Sequence, residues 1–285
     1  MYLSTTMETL LLELPTMTQQ HAPSHAAYQL LKKVARNEVI SLFSTDVQAP
    51  SSFAPFGQIH FPYIKMGAID SLDLFGLDEL IIFSFYWKNR NCYKKALDIG
   101  GNIGLHSIIL NLCGFFVDVY EPDPLHFSIL LKNLEQNLCT RVVPHNAAVS
   151  NKNGKAHFTR VLGNTTGSHL TGSKESYGEK ETIVVDVQDI KEIVNSVDLI
   201  KLDAEGHEKE ILFDLTAENW KSMDAMIEVG SQENAHGIFA YLQKIGVNAF
   251  SQKTGWKQVF SLQDLPTSHR EGSLFITSKS TMPWG

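Results

Sequence analysis

Residues 97–104 read Leu-Asp-Ile-Gly-Gly-Asn-Ile-Gly, and the rest of the chain can be placed around this stretch. The pattern predicts a buried strand that turns through glycines into a helix from Leu105 to about Cys113, with apolar residues at spacings near 3.6. Such a turn needs unusual backbone angles, and a ligand can approach the backbone only where no Cβ blocks it. The free N–H groups at the start of the helix would then face a polar ligand.

A second apolar strand, residues 115–120, ends on Glu121, which follows Gly100 by 21 residues. In nucleotide-type α/β folds an acid at this place accepts hydrogen bonds from the ribose hydroxyls. We therefore expect Glu121 to bind a ribose. A solvated acid at a strand end is the alternative.

Composition limits the function classes. A chain of 285 residues can bury a large core, and its 43% apolar content is ordinary for a globular protein. The net charge of −7 and the lack of a Lys/Arg cluster argue against nucleic-acid binding. No run of 18 apolar residues predicts a membrane span, and the N-terminal sequence does not have the pattern of a signal peptide.

The three cysteines, Cys92, Cys113 and Cys139, have neither a disulfide pattern nor zinc spacing. We expect each to be a small buried residue in a reducing compartment, which predicts a cytoplasmic protein. The sequence does not indicate the oligomeric state.

The chain divides at about residue 60. Residues 1–60 predict an accessory helical segment, with a helix over 26–43, that either covers the site or serves an oligomer contact. Residues 61–285 predict one domain in which strands and helices alternate regularly. The polar stretch 163–180 inside this domain is either a lid or acceptor-binding loop, or a passive excursion.

A second strand-to-helix junction follows the apolar strand 197–202. It carries four ionisable residues in six positions, Asp203 to Glu208, and a helix is expected to begin there. Ligands of open α/β sheets bind at the carboxyl ends of strands, where Asp203 falls. Glu228 lies near the end of the next strand. Lys201 should share a strand face with Asp203 and pair with a carboxylate or bind an acidic acceptor.

Four motifs in this order resemble the FkbM family of S-adenosylmethionine-dependent methyltransferases: D-I-G-G-N-I-G, V-Y-E-P-D-P, N-A-A-V-S and L-I-K-L-D-A-E-G-H-E. The resemblance covers about residues 61–230. The family usually has Ala where this chain has Gly101, and a further glycine should loosen the turn without abolishing binding.

The resemblance implies a class I methyltransferase fold, a Rossmann-like α/β architecture. Its seven-stranded, mostly parallel sheet would have helices on both faces and one reversed strand near the C-terminus. The strand pair at about 257–277 suits the closing hairpin. The implied reaction transfers a methyl group from S-adenosylmethionine to a hydroxyl of a small molecule or glycan, often a sugar, and leaves S-adenosylhomocysteine.

Asp203 and His207 are the candidate catalytic residues. A hydroxyl is a poor nucleophile, so a base near the acceptor helps, and a histidine can accept a proton near neutral pH. If the helix began at Asp203, His207 would share a helical face with it. Asp203 and Glu228 could also hold Mg²⁺, but two acids alone do not predict a metal site.

The cofactor should lie along the glycine turn and the two following strand ends. The expected residues are Asp98, Gly100, Asn102 and Gly104 around the methionine part, Glu121 at the ribose, and Pro122, Asp123, Asn146 and Ala147 near the adenine.

Two other functions remain open. A non-catalytic binding protein on the same fold would be expected to carry a broken cofactor motif, and none is visible. An NAD-dependent oxidoreductase would share the glycine turn, but the spacing G-G-N-I-G differs from G-x-G-x-x-G and that template has no place for D-A-E-G-H-E.

Overall fold

A computed structural model describes residues 5–43, 49–173 and 178–284 of the chain. The α-helices are α1 (Thr6–Glu13), α2 (Ala26–Phe43), α3 (Leu77–Lys88), α4 (Leu105–Leu112), α5 (Pro124–Gln136), α6 (Ile190–Ile193), α7 (Glu208–Phe213) and α8 (Gln232–Ile245). The strands are β1 (Ser51–Ser52), β2 (Gln58–Ile59), β3 (Lys95–Ile99), β4 (Phe116–Tyr120), β5 (Val142–His145), β6 (Ala148–Ser150), β7 (Gly154–Val161), β8 (His169–Leu170), β9 (Lys180–Asp189), β10 (Leu199–Leu202), β11 (Asp224–Glu228), β12 (Asn248–Ser251), β13 (Lys257–Gln258) and β14 (Ser273–Thr277).

The central sheet has the order β13-β12-β14-β11-β10-β3-β4-β5. The five strands from β11 to β5 pair in parallel, whereas β14 runs antiparallel to both β11 and β12. The α/β architecture with a mostly parallel sheet and one reversed strand between β11 and β12 is therefore as predicted. The carboxyl ends of β3, β4, β10 and β11 lie along one edge, where such folds bind ligands.

Two details of the predicted sheet are wrong. In the described residues the central sheet has eight strands rather than seven. The additional strand β13 pairs with β12, because the chain turns back at once through a 3-10 helix at Gln252–Thr254 and Gly255. The predicted hairpin over 257–277 does not form, since β14 pairs with β11 and β12 instead.

A second sheet, with the order β6-β9-β7-β8, stands beside the central one. Its long strands β7 and β9 form an antiparallel ladder from Gly154–Val187 to Val161–Lys180. The predicted extended segments 155–160 and 182–187 lie within these two strands. The ladder carries the polar stretch 163–180 at one end, so the sheet determines where that stretch lies.

Side chains alternate between the two faces of the central sheet, as the period of two in a strand requires. In β10, Leu199 belongs to a core that includes residues of α1 to α5, while Ile200 and Leu202 belong to a second core with residues of α6, α7 and α8. Helices therefore cover both faces. Strands buried on both faces read as continuous apolar runs, which explains why the sequence shows them clearly.

The apolar residues 72–87 predict a helix leading into the central sheet, but α3 begins later than this pattern predicts. A 3-10 turn at Asp73–Phe75 and then Gly76 precede its first α-helical residue, Leu77. The Asp70 carboxylate accepts a hydrogen bond from the Leu72 N–H and holds this turn. As a result, the first turn of α3 faces the carboxyl edge of the sheet.

The N-terminal segment packs into the same core as the sheet. Met7, Leu11 and Val39 belong to one apolar cluster with Phe75 and Phe83. The division of the chain at residue 60 stays a prediction, and these contacts predict that both parts unfold together.

Replacing Leu11 by Ala should lower the free energy of unfolding by about 2–5 kcal/mol, because this side chain is only 1% exposed and a cavity remains. Denaturant unfolding measures the change. The matched control is Leu12→Ala on the same helix, where the side chain is 45% exposed and the expected change is within about 0.5 kcal/mol. Equal effects of the two substitutions would contradict the packing of α1 described here.

Candidate active site

The register of the sheet brings five residues into one row across its carboxyl edge. Ile99 pairs with Tyr120 and with Leu202, and Leu202 pairs with Ile227. The residues that follow them are Glu121, Gly100, Asp203 and Glu228, and Ser273 of β14 is the partner of Glu228. Neighbouring members of this edge row are one strand spacing apart, about 4.8 Å.

The edge row lies at the bottom of a cavity of about 930 Å³. This volume is at the upper end of the roughly 300–1,000 Å³ that is typical of ligand sites. The walls are formed by α2, the start of α3, residues 120–123, 147–149 and 164–170, the loop after β10 and residues 272–273. The cavity can therefore hold more than one small ligand.

The glycine turn brings two chain segments together more closely than any side chain would allow. A Cβ added to Gly100, which has φ +80°, would lie 1.9 Å from the carbonyl oxygen of Asp203. At Gly101 an added Cβ would lie 2.2 Å from Cγ2 of Val119, a side chain that could be replaced by a smaller one. Gly104 has φ +93° and is in contact with Leu130.

Glu121 is buried against the turn. Its carboxylate accepts hydrogen bonds from the backbone N–H groups of Asn102 at 2.7 Å and Asp123 at 2.8 Å. Burial raises the pKa of Glu121 to about 8 despite these bonds. Asn102 has φ +50°, and its buried side-chain Oδ1 has no hydrogen-bond partner within the described part of the chain.

Six of the nine residues expected around the cofactor line the cavity: Gly100, Asn102, Glu121, Pro122, Asp123 and Ala147. The other three, Asp98, Gly104 and Asn146, do not line it. The Asn146 amide instead donates to the carbonyl oxygens of Glu121 (2.9 Å) and Pro122 (3.3 Å). Asn146 thus holds this segment in place, a contact that the sequence does not reveal.

Asp123 has structural partners for both carboxylate oxygens. One accepts from the Leu125 N–H at 2.8 Å and caps α5, and the other accepts from Nε of Arg160 at 2.8 Å. Arg160 lies on β7 and also pairs with Glu181 on β9. Through these ion pairs Asp123 joins the second sheet to the cavity.

Lys201 is the buried cation beneath the edge row. Its ammonium donates to the carbonyl oxygen of Gly100 at 3.2 Å and lies 3.5 Å from Oδ2 of Asp203 and 3.9 Å from Oδ1 of Asp98. Burial opposes the charge, but the Asp203 and Asp98 carboxylates outweigh it and raise the pKa of Lys201. Of its two predicted roles, the structure shows the pairing with a carboxylate. The other carboxylate oxygen of Asp98 accepts from Ser107 at 2.7 Å.

Glu208 shapes the loop that carries Asp203. It is 1% exposed, and its carboxylate accepts from the N–H groups of Ala204 at 2.8 Å and Gly206 at 3.1 Å and from the Asn234 amide. Burial raises its pKa to about 7. Glu205, with φ +51°, and Gly206, with φ +100°, form the turn that these bonds close.

The predicted helical face shared by Asp203 and His207 does not exist. α7 begins at Glu208, because the left-handed residues Glu205 and Gly206 keep the chain out of a helix until then. The His207 ring lies between two serines, with Nε2 2.8 Å from Oγ of Ser150 and Nδ1 3.1 Å from Oγ of Ser173. Burial lowers the pKa of His207, so the ring is neutral at pH 7.

Two further carboxyl groups face the cavity beside Asp203. Burial, followed by the charges of Asp203 and Glu205, raises the pKa of Glu228 well above its usual range. Glu79, in the first turn of α3, is paired with Nε2 of His106 at 2.8 Å. Burial opposes its ionisation, but the hydrogen bond and charge of His106 and the charge of Lys201 together outweigh burial and lower the pKa of Glu79. The site therefore combines carboxyl groups whose pKa is raised, Glu228 and Glu121, with one whose pKa is lowered, Glu79.

The polar stretch after β7 lies over the cavity in its described part. Ala68 N–H donates to the Gly163 carbonyl at 2.7 Å, and Thr165 N–H donates to the Met66 carbonyl at 3.1 Å. Oγ1 of Thr165 also lies 2.9 Å from Nε2 of His126. These contacts hold residues 163–170 against the cavity, where residues 164–170 form part of its wall. Residues 174–177 of the predicted loop lie outside the described residues.

The sequence left open whether residues 1–60 cover the site, and it did not single out the residues of α2 that line the cavity. Gln29, Lys32, Lys33 and Arg36 line the cavity, although they precede the glycine turn by more than 60 residues. Their spacing i, i+3, i+4, i+7 was the available signal for one helix face. Throughout the described ranges no group of three or more His, Cys, Asp or Glu side chains is arranged to hold a metal ion.

The comparisons with known proteins assign the family. Residues 98–247, more than half of the chain, match the model of the methyltransferase FkbM domain. The chain belongs to the FkbM methyltransferase family. This FkbM-family protein is an S-adenosylmethionine-dependent methyltransferase. A search of curated proteins finds no match to the chain.

Several solved methyltransferase structures are similar in fold. A precorrin-6y C5,15-methyltransferase from Geobacter metallireducens GS-15 has a TM-score of 0.38 and 11% identity, over 68% of this chain and 85% of that one. An O-methyltransferase from Bacillus cereus in complex with SAH has a TM-score of 0.39 and 13% identity, over 68% and 77%. A SAM-dependent methyltransferase from Agrobacterium tumefaciens has a TM-score of 0.40 and 9% identity, over 71% and 62%.

Within the described residues no helix is long and apolar enough to span a membrane.

Gly100→Ala should lower the free energy of unfolding by about 2–4 kcal/mol, the sum of the left-handed backbone cost and the clash with the Asp203 backbone. Gly101→Ala should cost about 1–3 kcal/mol, mainly through Val119, with a smaller contribution from Cδ1 of Leu130, 3.2 Å from the added Cβ. Chemical denaturation of the single and double variants measures both effects.

Val119→Ala provides the control. In this background Gly101→Ala should cost clearly less than in the parent, with the Leu130 contact remaining, while Gly100→Ala should cost as much as in the parent. If Val119→Ala relieved Gly100→Ala instead, the packing of the glycine turn would be different from that described.

Proposed function

We propose that this methyltransferase transfers the methyl group of S-adenosylmethionine to a hydroxyl of a small molecule or glycan, with a sugar hydroxyl as the acceptor. The observation that carries the proposal is the edge row. Glu121, which suits a ribose, follows β4, while Asp203 and Glu228, which suit a hydroxyl, follow β10 and β11, and the glycine turn after β3 lies between the two groups in one cavity.

The residues at one end of the edge row fit the cofactor. Glu121 keeps free lone pairs for two ribose hydroxyls while its backbone hydrogen bonds hold it in place. Asn102, which follows the glycine turn and lines the cavity, is the residue that we expect beside the methionine part. Pro122, Asp123 and Ala147 border the space left for the adenine. When bound, S-adenosylmethionine supplies an electrophilic methyl group on a sulfonium.

The other end fits a hydroxyl acceptor. A hydroxyl needs one group that accepts its proton and one that donates to its oxygen, and the edge row offers both kinds of carboxyl group side by side. Asp203 accepts the hydroxyl proton, and the protonated Glu228 donates a hydrogen bond that orients the acceptor. Lys201 and the Glu208-ordered loop fix the position of Asp203.

The reaction is an in-line displacement in which the oxygen–carbon bond forms as the carbon–sulfur bond breaks. Alignment of the three atoms by a rigid site supplies much of the rate. Residues 164–170 form one wall of the cavity and shield the acceptor hydroxyl from part of the solvent. His207 is the second candidate base, since its neutral ring lines the same cavity.

The proposal is tested with methyl-labelled S-adenosylmethionine and a panel of neutral sugars, sugar phosphates, amines and thiols. Label should appear on a sugar oxygen as an ether that survives mild alkali, because methyl esters are cleaved under those conditions. Mass spectrometry of the products measures it. Transfer only to nitrogen, sulfur or a carboxylate would refute the hydroxyl acceptor.

Variants separate the two ends of the edge row in the same assay. Asp203→Asn should lower kcat by about 10²–10⁴, the usual contribution of a general base, with unchanged affinity for S-adenosylhomocysteine. Glu121→Ala should weaken that affinity by about tenfold or more. Asp186→Asn, on the exposed ladder of the second sheet, is the control and should change neither quantity.

A further inference from the structure

A basic stripe on α2 forms one rim of the cavity. Gln29, Lys32, Lys33 and Arg36 follow the spacing i, i+3, i+4, i+7, so that they share one face of the helix, and all four line the cavity. We call these four residues the rim stripe. The buried side chains of the same helix lie elsewhere on its circumference: Tyr28, Ala35, Val39 and Phe43.

Polar contacts at both ends hold the rim stripe in place. Oη of Tyr28 donates to the Asp78 carboxylate at 2.7 Å, and the Arg36 guanidinium pairs with Asp73 at 3.1 Å. Gln252, which is 0% exposed, also donates to Asp78 and accepts from the Ser273 N–H at 3.0 Å. The stripe is therefore tied to the start of α3 and to the acceptor end of the edge row.

The two lysines of the rim stripe are not held in ion pairs. Arg36 has Asp73 as its partner. The charge of Lys32 acts on the buried Asp78 carboxylate, but neither Lys32 nor Lys33 forms an ion pair with any of the described residues. The Lys32 ammonium lies 5.9 Å from the centroid of the Tyr28 ring. Two ammonium groups on exposed, adjacent positions match the charge of a phosphate dianion, which lysine binds as a point charge.

The bottom of the cavity has the opposite sign. Glu79 and Asp203 contribute carboxylates there, and the only cation beneath them within the described chain, Lys201, is already held by Asp98, Asp203 and the Gly100 carbonyl. An anionic group is repelled from the bottom and attracted to the rim. A hydroxyl, in contrast, finds its hydrogen-bonding partners at the bottom.

We propose that the rim stripe binds the phosphate of a phosphorylated acceptor, so that its hydroxyl is directed down to Asp203. This inference rests on the proposed function for the orientation of the hydroxyl, but phosphate binding itself does not. Both a sugar phosphate and a diphosphate-linked sugar present this chemistry. The positive rim and the negative bottom of the cavity favour a phosphorylated sugar over a neutral one. They also orient it, with the phosphate at the rim and the hydroxyl at the bottom.

Calorimetric titration of the S-adenosylhomocysteine-loaded enzyme with inorganic phosphate and with pyrophosphate tests the proposal. We expect saturable binding that weakens as salt rises, because the site is exposed to solvent. The Lys32→Glu/Lys33→Glu variant should lose at least about tenfold in affinity, the effect of one charge-assisted hydrogen bond or more. Tighter binding of pyrophosphate than of phosphate assigns a diphosphate-linked acceptor, and the reverse assigns a monophosphate.

The matched control is Lys88→Glu/Lys244→Glu, which makes the same change in net charge on exposed helix positions away from the cavity. This variant should retain phosphate affinity within about twofold, and both variants should retain affinity for S-adenosylhomocysteine. Absence of saturable binding, or equal losses in the two variants, overturns the proposal. Failure of methyl transfer to any hydroxyl would instead overturn the proposed function and leave the calorimetric result intact.

Discussion

The structure depends on the approach of two backbone segments at the carboxyl edge of the sheet, where Gly100 lies under the carbonyl group of Asp203. A Cβ at this position would come within 1.9 Å of that oxygen. Because the two segments can touch, β3 and β10 end side by side and their following loops face one cavity. The Glu121 carboxylate, the glycine turn and the Asp203 carboxylate thereby become neighbours, which is the arrangement that a two-ligand transfer reaction requires.

Charged side chains buried beneath this edge determine the electrostatics of the site. Lys201 lies among Asp98, Asp203 and the Gly100 carbonyl, and it compensates carboxylates that would otherwise repel one another. Removing one partner of such a network leaves the other charge buried and uncompensated, which is strongly destabilising. Compensation is incomplete at Glu228, where burial and the nearby acids favour the protonated form. The pKa of Glu228 is thus raised at the sheet edge, whereas the pKa of Glu79, across the cavity on α3, is lowered.

The order of strands and helices in the central sheet, and the residues at the ends of its strands, could be predicted from the local sequence pattern. Glu121 and Asp203 end apolar strands of a regular α/β alternation, and strand ends of a parallel sheet meet at one edge. A strand is predicted near residue 257, where β13 lies, but its pairing with β12 instead of β14 depends on the 3-10 turn at Gln252–Thr254, which the sequence pattern does not indicate. The delayed start of α7 depends on left-handed backbone at Glu205, a residue type that favours helices. The rim stripe could not be placed, because its position depends on contacts between residues far apart in the chain, such as Tyr28 with Asp78.

Thermal unfolding with S-adenosylmethionine, S-adenosylhomocysteine and NAD, each added separately, tests most directly whether this edge is a methyltransferase cofactor site. A ligand at about 100 times its dissociation constant stabilises the native state by roughly 2.7 kcal/mol. For a chain of this size that corresponds to a rise in Tm of about 5 °C or more. We expect this rise with the two sulfur compounds and no rise with NAD. A rise with NAD alone would contradict the account.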